Sequence, residues 1–265
     1  MTIHPTAIVE DGAQLGAEVK IGPYCIIGRD TVLGDGVEVI SHAVVTGRTT
    51  VGPRTRIYPF ASIGHQPQDL KYAGELSTLR IGADCNIREH ATINPGTAGG
   101  GMETVVGDRC LIMIGSHIGH DCHVGNNVIL SNNAGLAGHC KVDDYAILSG
   151  HAGTVQFVHV GAHAFVGGMT KVEKDVIPYG MVNGNPGVLS GINLVGLKRR
   201  GFDREAIHQL RAAYRMIFAS EGTLRERVVD ASQLFADEPL VQDLVRFISS
   251  AQGGLTLPDN VGNEE

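Results

Sequence analysis

The chain has 265 residues, room for one large domain or two modest ones. Aromatic residues make up 5 %, Trp is absent and Gly reaches 36, which excludes a thick conventional core and suits a thin one filled by Ile, Val and Leu. A formal net charge of -7 argues against a nucleic-acid binder, although a local cluster can still hold an anionic ligand.

From the N-terminus, every sixth residue is aliphatic: Ile3, Val9, Leu15, Ile21, Ile27, Leu33 and onward to Ile63. A period of six is neither the 3.6 of a helix nor the alternation of a simple strand. It is the repeat of a parallel β-helix, in which three six-residue faces close one coil and stacked coils share a core. The register breaks at residues 65–80, a polar segment holding Gln68, Asp69 and Lys71, and resumes at Ile81, Ile87 and Ile93. A second break, 94–105, is rich in Gly. From Val106 to Val172 the period runs again, with Thr154 the only non-aliphatic residue in register. Breaks in a solenoid become loops on one face, often the binding face.

The coils are expected to end near Val176–Tyr179, followed by a turn-rich connector at Asn183-Gly184-Asn185-Pro186. Asp203 reads as the N-cap of a helix carrying Ile207, Leu210, Tyr214 and Ile217 at helical spacing. Thr223 with Glu226 reads as a capping box before a second helix, and Pro239 opens a third. Gly253–Glu265 reads as a loose tail. The expected fold is therefore mainly β: a parallel β-helix over 1–186 with loop insertions at 65–80 and 94–105, then a linker and helical domain over 187–265.

The five cysteines are an odd number with no signal peptide before them, which points to a reduced, cytoplasmic setting. Cys122 and Cys140 lie one coil apart and should stack as small core residues. No apolar run approaches a membrane span, so no stable membrane insertion is expected.

Polar chemistry concentrates at Ser116-His117-Ile118-Gly119-His120-Asp121-Cys122-His123, with His139 and His151 on later coils, all the histidines outside the aliphatic register. Histidine is the usual general base in the physiological range. Residues one coil apart stack at roughly the strand spacing of ~4.8 Å, so His120, Gly138 and Gln156 should form a column. That column offers a base, a backbone N–H with no side chain in its way, and an amide, a set suited to acyl transfer. Asp121 orients the imidazole only if the chain turns there.

Two other readings stand beside this one. The residues are solvated surface groups, or His117, His120, Cys122, His123 and His139 include metal ligands, although their spacing matches no zinc motif. Gly99-Gly100-Gly101 lacks the Lys-Ser or Lys-Thr of a phosphate loop and reads as a flexible surface loop. Lys198-Arg199-Arg200 is a solvated face or a diphosphate contact.

The chain resembles the acyl-carrier-protein-dependent UDP-N-acetylglucosamine O-acyltransferases that open lipid A synthesis in Gram-negative bacteria. The resemblance covers nearly the whole chain. It is carried by His4-Pro5-Thr6-Ala7, the run from Gln68 to Glu75, His117–Cys122, Leu136-Ala137-Gly138-His139, Gln156-Phe157 and Gly196-Leu197-Lys198-Arg199-Arg200-Gly201-Phe202. It implies left-handed coils, a homotrimer with active sites between adjacent prisms, and no cofactor, since acyl carrier protein delivers the chain on its phosphopantetheine arm. By resemblance His120 is the general base and the Gly138 N–H holds the oxyanion. Gln68, Asp69, Lys71, His117, His139 and Gln156 contact the sugar nucleotide or the arm, Asn193, Arg199 and Arg200 assist, and Gly168 occupies the position that limits acyl length in some members, where glycine leaves room for a longer chain with Met169 alongside. The acidic carrier docks on basic residues of the C-terminal region.

Three positions depart from the family pattern: Val195, Asn94-Pro95 and Val155, where the family commonly carries Glu, His-Arg and His. The same site serves a 3-amino UDP-sugar acceptor equally well, and a zinc-dependent trimeric β-helix hydratase and a non-catalytic scaffold are the rival classes.

Overall fold

The fold is known from a computed structural model that describes residues 1–259. The sixth-residue aliphatics form its interior. Most sit second in a two-residue strand whose first side chain faces outward, as in Lys20–Ile21, Arg56–Ile57 and Ile147–Leu148. Ile57, Ile93, Ile118, Leu136 and Leu148 are fully buried, each worth about 2 kcal/mol of transfer free energy.

The strands pair in parallel with the coils above and below: Ile21 opposite Val39, Ile118 opposite Leu136, Val124 opposite Val142. Three sheets result, and they are the three faces of a prism. The first runs from Thr2–Ile3 to Val188–Ile192, the second from Ile8–Val9 to Lys171–Val172, the third from Gln14–Leu15 to His159–Val160. The interruptions loop out without disturbing this pairing. Ile63 still meets Ile93 and Ile93 meets Ile118, while the strands that close the loops begin at Thr78 and Glu103. Thr154 keeps its register between Leu136 and Val172. Cys122 and Cys140 lie on successive coils, both buried and free.

Corners between faces are turned by single residues in the left-handed region, among them Asp121 (φ 58°), His139 (φ 63°) and Phe157 (φ 67°). That conformation costs an L-residue about 1 kcal/mol. Parallel pairing on both sides of each corner enforces it.

The presumed connector Asn183–Pro186 belongs to the turn of an antiparallel hairpin, Gly180–Asn183 with Val188–Ile192, which extends the first face past residue 186. Helix α1 (Leu194–Arg199) was not anticipated from the sequence. It is six residues long with Gly196 inside, and it exists because the Asn193 side chain caps it, accepting from Gly196 N–H at 3.0 Å. Helices α2 (Arg204–Ile217), α3 (Leu224–Leu234) and α4 (Pro239–Ser250) follow, with Asp203 and the Thr223–Glu226 capping box at the expected starts. The Tyr179 hydroxyl donates to Asp243 at 2.8 Å and ties α4 to the prism. No described helix is long and apolar enough to cross a membrane.

The tail corrects its sequence reading. Residues 254–257 strap across the last coil: Asp175 N–H donates to Gly254 O at 3.0 Å, Thr256 N–H to Asp175 O at 2.8 Å, and Leu189 N–H to Leu257 O at 3.1 Å. Leu255 and Thr256 are buried. A prism ends in unpaired strand edges, and the strap covers one. The rest of the expected loose tail, 260–265, lies outside the described residues.

Candidate active site

The corner between the second and third faces carries the site. His120 precedes the left-handed Asp121, and that turn folds the carboxylate back onto its neighbour: His120 Nδ1 lies 2.8 Å from Asp121 Oδ2. The sequence left this contact conditional, and the positive φ supplies the condition. Asp121 Oδ1 accepts from Thr97 N–H at 2.8 Å, its Oδ2 accepts from the Thr97 hydroxyl at 2.6 Å, and its own N–H donates to Thr104 at 2.8 Å. A carboxylate that receives two donors from Thr97 is acceptor-only toward the imidazole. Against an ionised Asp121 the contact takes the His120 tautomer with the proton on Nδ1, which leaves Nε2 facing away from the carboxylate.

His120 lies over Gly138 one coil on. A methyl group on Gly138 would fall 2.5 Å from Cε1 and Nε2 of the imidazole, so only glycine admits the ring there. The Gly138 N–H has no acceptor among the described residues. Gln156 follows in the column, exposed, and Phe157 N–H donates to Gly138 O at 3.3 Å.

His139 stands beside the column, edge-on to His120 at 4.9 Å and stacked flat on Phe157 at 4.5 Å. Burial lowers its pKa, Asp121 opposes that shift, and the His120 charge adds to it. The charges of Asp69 and Lys71 also act on His139, which brings the first loop to the site. Asp69 accepts the Lys71 N–H at 3.0 Å, while Gln68 and Lys71 are exposed. His117 faces outward on the second face, 2.7 Å from Thr92 Oγ1, its pKa lowered by burial and then by the His120 charge. Two imidazoles with lowered pKa values thus flank His120.

Below His117 the outward positions are Gly135 and Gly153. A Cβ at Gly135 would meet nothing within 4 Å, and one at Gly153 only Gly135 O at 3.9 Å. Gly168, on the next corner, is equally unconstrained, 3.4 Å from Gly150 O. Neither space nor backbone conformation demands glycine here, so these residues leave a bare strip of main chain running down from the histidines.

Asn193, Arg199 and Arg200 are not brought to His120. They stand by the opposite edge, between the third and first faces, where Arg200 donates to Tyr145 O at 2.7 Å and Asn193 to His163 O at 3.0 Å. They line a cavity of about 650 Å³ with Ile147, Phe165 and Val195. Burial lowers the Arg200 pKa, and its buried Nη1 has no partner among the described residues.

His120, Asp121 and His139 present ligand atoms within 4.8 Å of one another, the one grouping of described residues close enough to hold a metal. It fits poorly, because Asp121 is already engaged by Thr97 and His120. Cys122 is in the core and His123 is exposed on the third face, so the wider ligand set does not converge.

Sequence reasoning missed Phe157, Thr92, Thr97 and Thr104. Stacking one coil below His139 would have found Phe157. Thr92 stands in the repeat directly opposite His117 and could have been found the same way, whereas Thr97 and Thr104 reach the site through the second insertion and carry no periodic signal. Asn94, in place of the family's His, donates to the carbonyls of His65 and Gln66 at 3.0 and 3.3 Å and holds the first loop.

The six-residue ladder and this corner define a hexapeptide-repeat transferase. The family described as bacterial transferase hexapeptide (six repeats) matches residues 103–138, and that described as UDP N-acetylglucosamine O-acyltransferase, domain 2, matches 175–256. An acyl-[acyl-carrier-protein]–UDP-N-acetylglucosamine O-acyltransferase of Rhizobium johnstonii is 51 % identical over 248 residues, 94 % of this chain and 91 % of that one. The enzyme of that name from Sinorhizobium fredii is 48 % identical over 261 residues, 98 % and 97 % of the two chains. The crystal structure of Francisella novicida UDP-N-acetylglucosamine acyltransferase superposes with a TM-score of 0.95 at 37 % identity, covering 99 % of this chain and 97 % of that one. The chain belongs to the acyl-[acyl-carrier-protein]–UDP-N-acetylglucosamine O-acyltransferase family, and its prism is a left-handed parallel β-helix.

Proposed function

We propose that this protein transfers a (R)-3-hydroxyacyl chain from acyl carrier protein to the 3-hydroxyl of UDP-N-acetylglucosamine, the opening step of lipid A assembly, with His120 as general base. The observation that carries the reading is the imidazole held by Asp121 on one nitrogen and laid over Gly138 on the other side.

His120 Nε2 takes the proton of the sugar 3-hydroxyl as that oxygen attacks the thioester carbonyl. The oxyanion is received by the Gly138 N–H, a fixed donor that needs no reorganisation. As the C–S bond breaks, the imidazolium returns the proton to the departing thiolate. Asp121 steadies the imidazolium in between. His117, His139, Gln156 and the first-loop residues Gln68, Asp69 and Lys71 bind the nucleotide or the phosphopantetheine arm. The acyl chain follows the bare strip toward Gly168.

Asn193, Arg199 and Arg200 lie an edge away from the base in one chain, so we assign them to the site of a neighbouring copy in a homotrimer. Arg200, whose buried Nη1 has no partner among the described residues, is suited to an anionic group. The division into a prism that runs on through Val188–Ile192 and a helical region after it, a cytoplasmic location and independence from any cofactor belong to the same reading.

The test is a product assay with purified protein, a 3-hydroxyacyl carrier protein and both UDP-N-acetylglucosamine and its 3-amino analogue. An ester formed from the first acceptor is expected. Exclusive amide formation from the second would reassign the acceptor, and no transfer to either would overturn the reading.

A further inference from the structure

We infer that the loop between Ile93 and Glu103 is a clamp for the Asp121 carboxylate, with Thr97 and Gly100 as its positioning residues; this rests on His120 being the base. The Asp121 side chain is 0 % exposed and Thr97 is 3 % exposed. Thr97 grips both carboxylate oxygens at once, one through its backbone N–H and one through its hydroxyl. The second of these is the oxygen that also receives His120 Nδ1. With the hydroxyl in place, the carboxylate is not free to rotate about its own axis, and the imidazole it holds stays fixed over Gly138.

The glycine run that reads as a flexible surface loop has a specific fit here. A Cβ on Gly100 would stand 2.0 Å from Asp121 Cγ, so the loop backbone lies directly against the carboxylate. The adjacent Gly99 is open, its Cβ meeting only Thr97 Oγ1 at 3.9 Å. The turn is drawn tight because the Thr97 carbonyl accepts from both Gly100 N–H at 3.1 Å and Met102 N–H at 3.0 Å.

The clamp is also tied to the first loop. Glu75 accepts from Ala98 N–H at 2.9 Å and from Ala73 N–H at 2.8 Å, and these backbone donors hold its carboxyl below the usual carboxylate range. An unbroken path of bonds therefore runs from the loop that carries Asp69 and Lys71, through Glu75, Ala98 and Thr97, to Asp121 and His120. Both insertions in the prism meet at the group that orients the base.

The test uses the full-length protein with Thr97→Val, Thr97→Ser, Gly100→Ala and Gly99→Ala, each checked for its unfolding midpoint and oligomeric mass. Thr97→Val and Gly100→Ala should lower kcat roughly tenfold to a hundredfold, the loss set by one hydrogen bond to a charged group. KM for the sugar nucleotide should stay within about twofold, since the clamp touches no substrate. Thr97→Ser and Gly99→Ala should keep nearly full kcat. Wild-type kcat in Thr97→Val, an equal loss in Thr97→Ser, or equal damage from the two glycine substitutions overturns the inference. Should Thr97→Val fail to fold, the contrast between Gly100 and Gly99 decides alone. His120→Ala in the same series separates the two claims: activity there removes the base, whereas an inactive His120→Ala beside an unaffected Thr97→Val removes only the clamp.

Discussion

Gly138→Ala adds one methyl group at the point where two coils meet in the site. Its backbone φ is not in the left-handed region, so Ala is tolerated conformationally. The new Cβ would lie 2.5 Å from Cε1 and Nε2 of His120 and 3.0 Å from Nδ1. Carbon contacts settle at roughly 3.5 Å or more, so the ring must retreat by about 1 Å. It cannot do so freely, because Asp121 holds the other nitrogen at 2.8 Å. A misplacement of about 1 Å costs on the order of 10²-fold in rate, or about 2.7 kcal/mol in the barrier. The assay is kcat on folded, correctly assembled protein with both substrates saturating. Retention of kcat within about threefold would show that the ring does not work from its place over Gly138.

Three further outcomes follow from the structure. Gly168→Leu should shift preference toward shorter acyl chains in competition between defined acyl carrier proteins, with little change in the unfolding midpoint, since a Cβ there meets only Gly150 O at 3.4 Å; an unchanged preference removes Gly168 from the acyl path. His163 is stacked on Tyr145, and burial, then the Arg200 charge, pushes its pKa down from 6.5 to about 4, against Asp144 and Asp243. Its folded value lies below the unfolded one, so the stability it contributes is present above pH 6.5 and is lost as pH falls through about 4. His163→Phe should therefore flatten the acid slope of stability between pH 6.5 and about 4, and a slope identical to the wild type contradicts this. Leu255→Ala should cost about 2 kcal/mol in urea unfolding by loosening the C-terminal strap; no loss would mean that the strap contributes nothing to closing the prism.

The prism was legible because its physics is periodic. Each coil needs an aliphatic residue at each sixth place, and a ladder of that kind survives two insertions and the substitution of Thr154. Periodicity also placed His120 over Gly138, since stacking follows from the repeat. What lies outside the repeat was harder to see. The short helix α1 depends on a single cap at Asn193. The strap at Leu255 is set by the need to cover an edge that exists only in three dimensions. Thr97 and Gly100 reach Asp121 through a non-repeating loop, so neither spacing nor composition announces them. The turn that brings Asp121 back to His120 requires a left-handed residue at a corner, which the sequence permits but does not signal, because Asp and His both occur at these corners.

The most direct measurement is the single-turnover rate of acyl transfer by His120→Ala, with acyl carrier protein and UDP-N-acetylglucosamine at saturation. Loss of the base should slow transfer by about 10²- to 10⁴-fold while nucleotide binding persists. Transfer at the wild-type rate would mean that the proton leaves the sugar hydroxyl by another route.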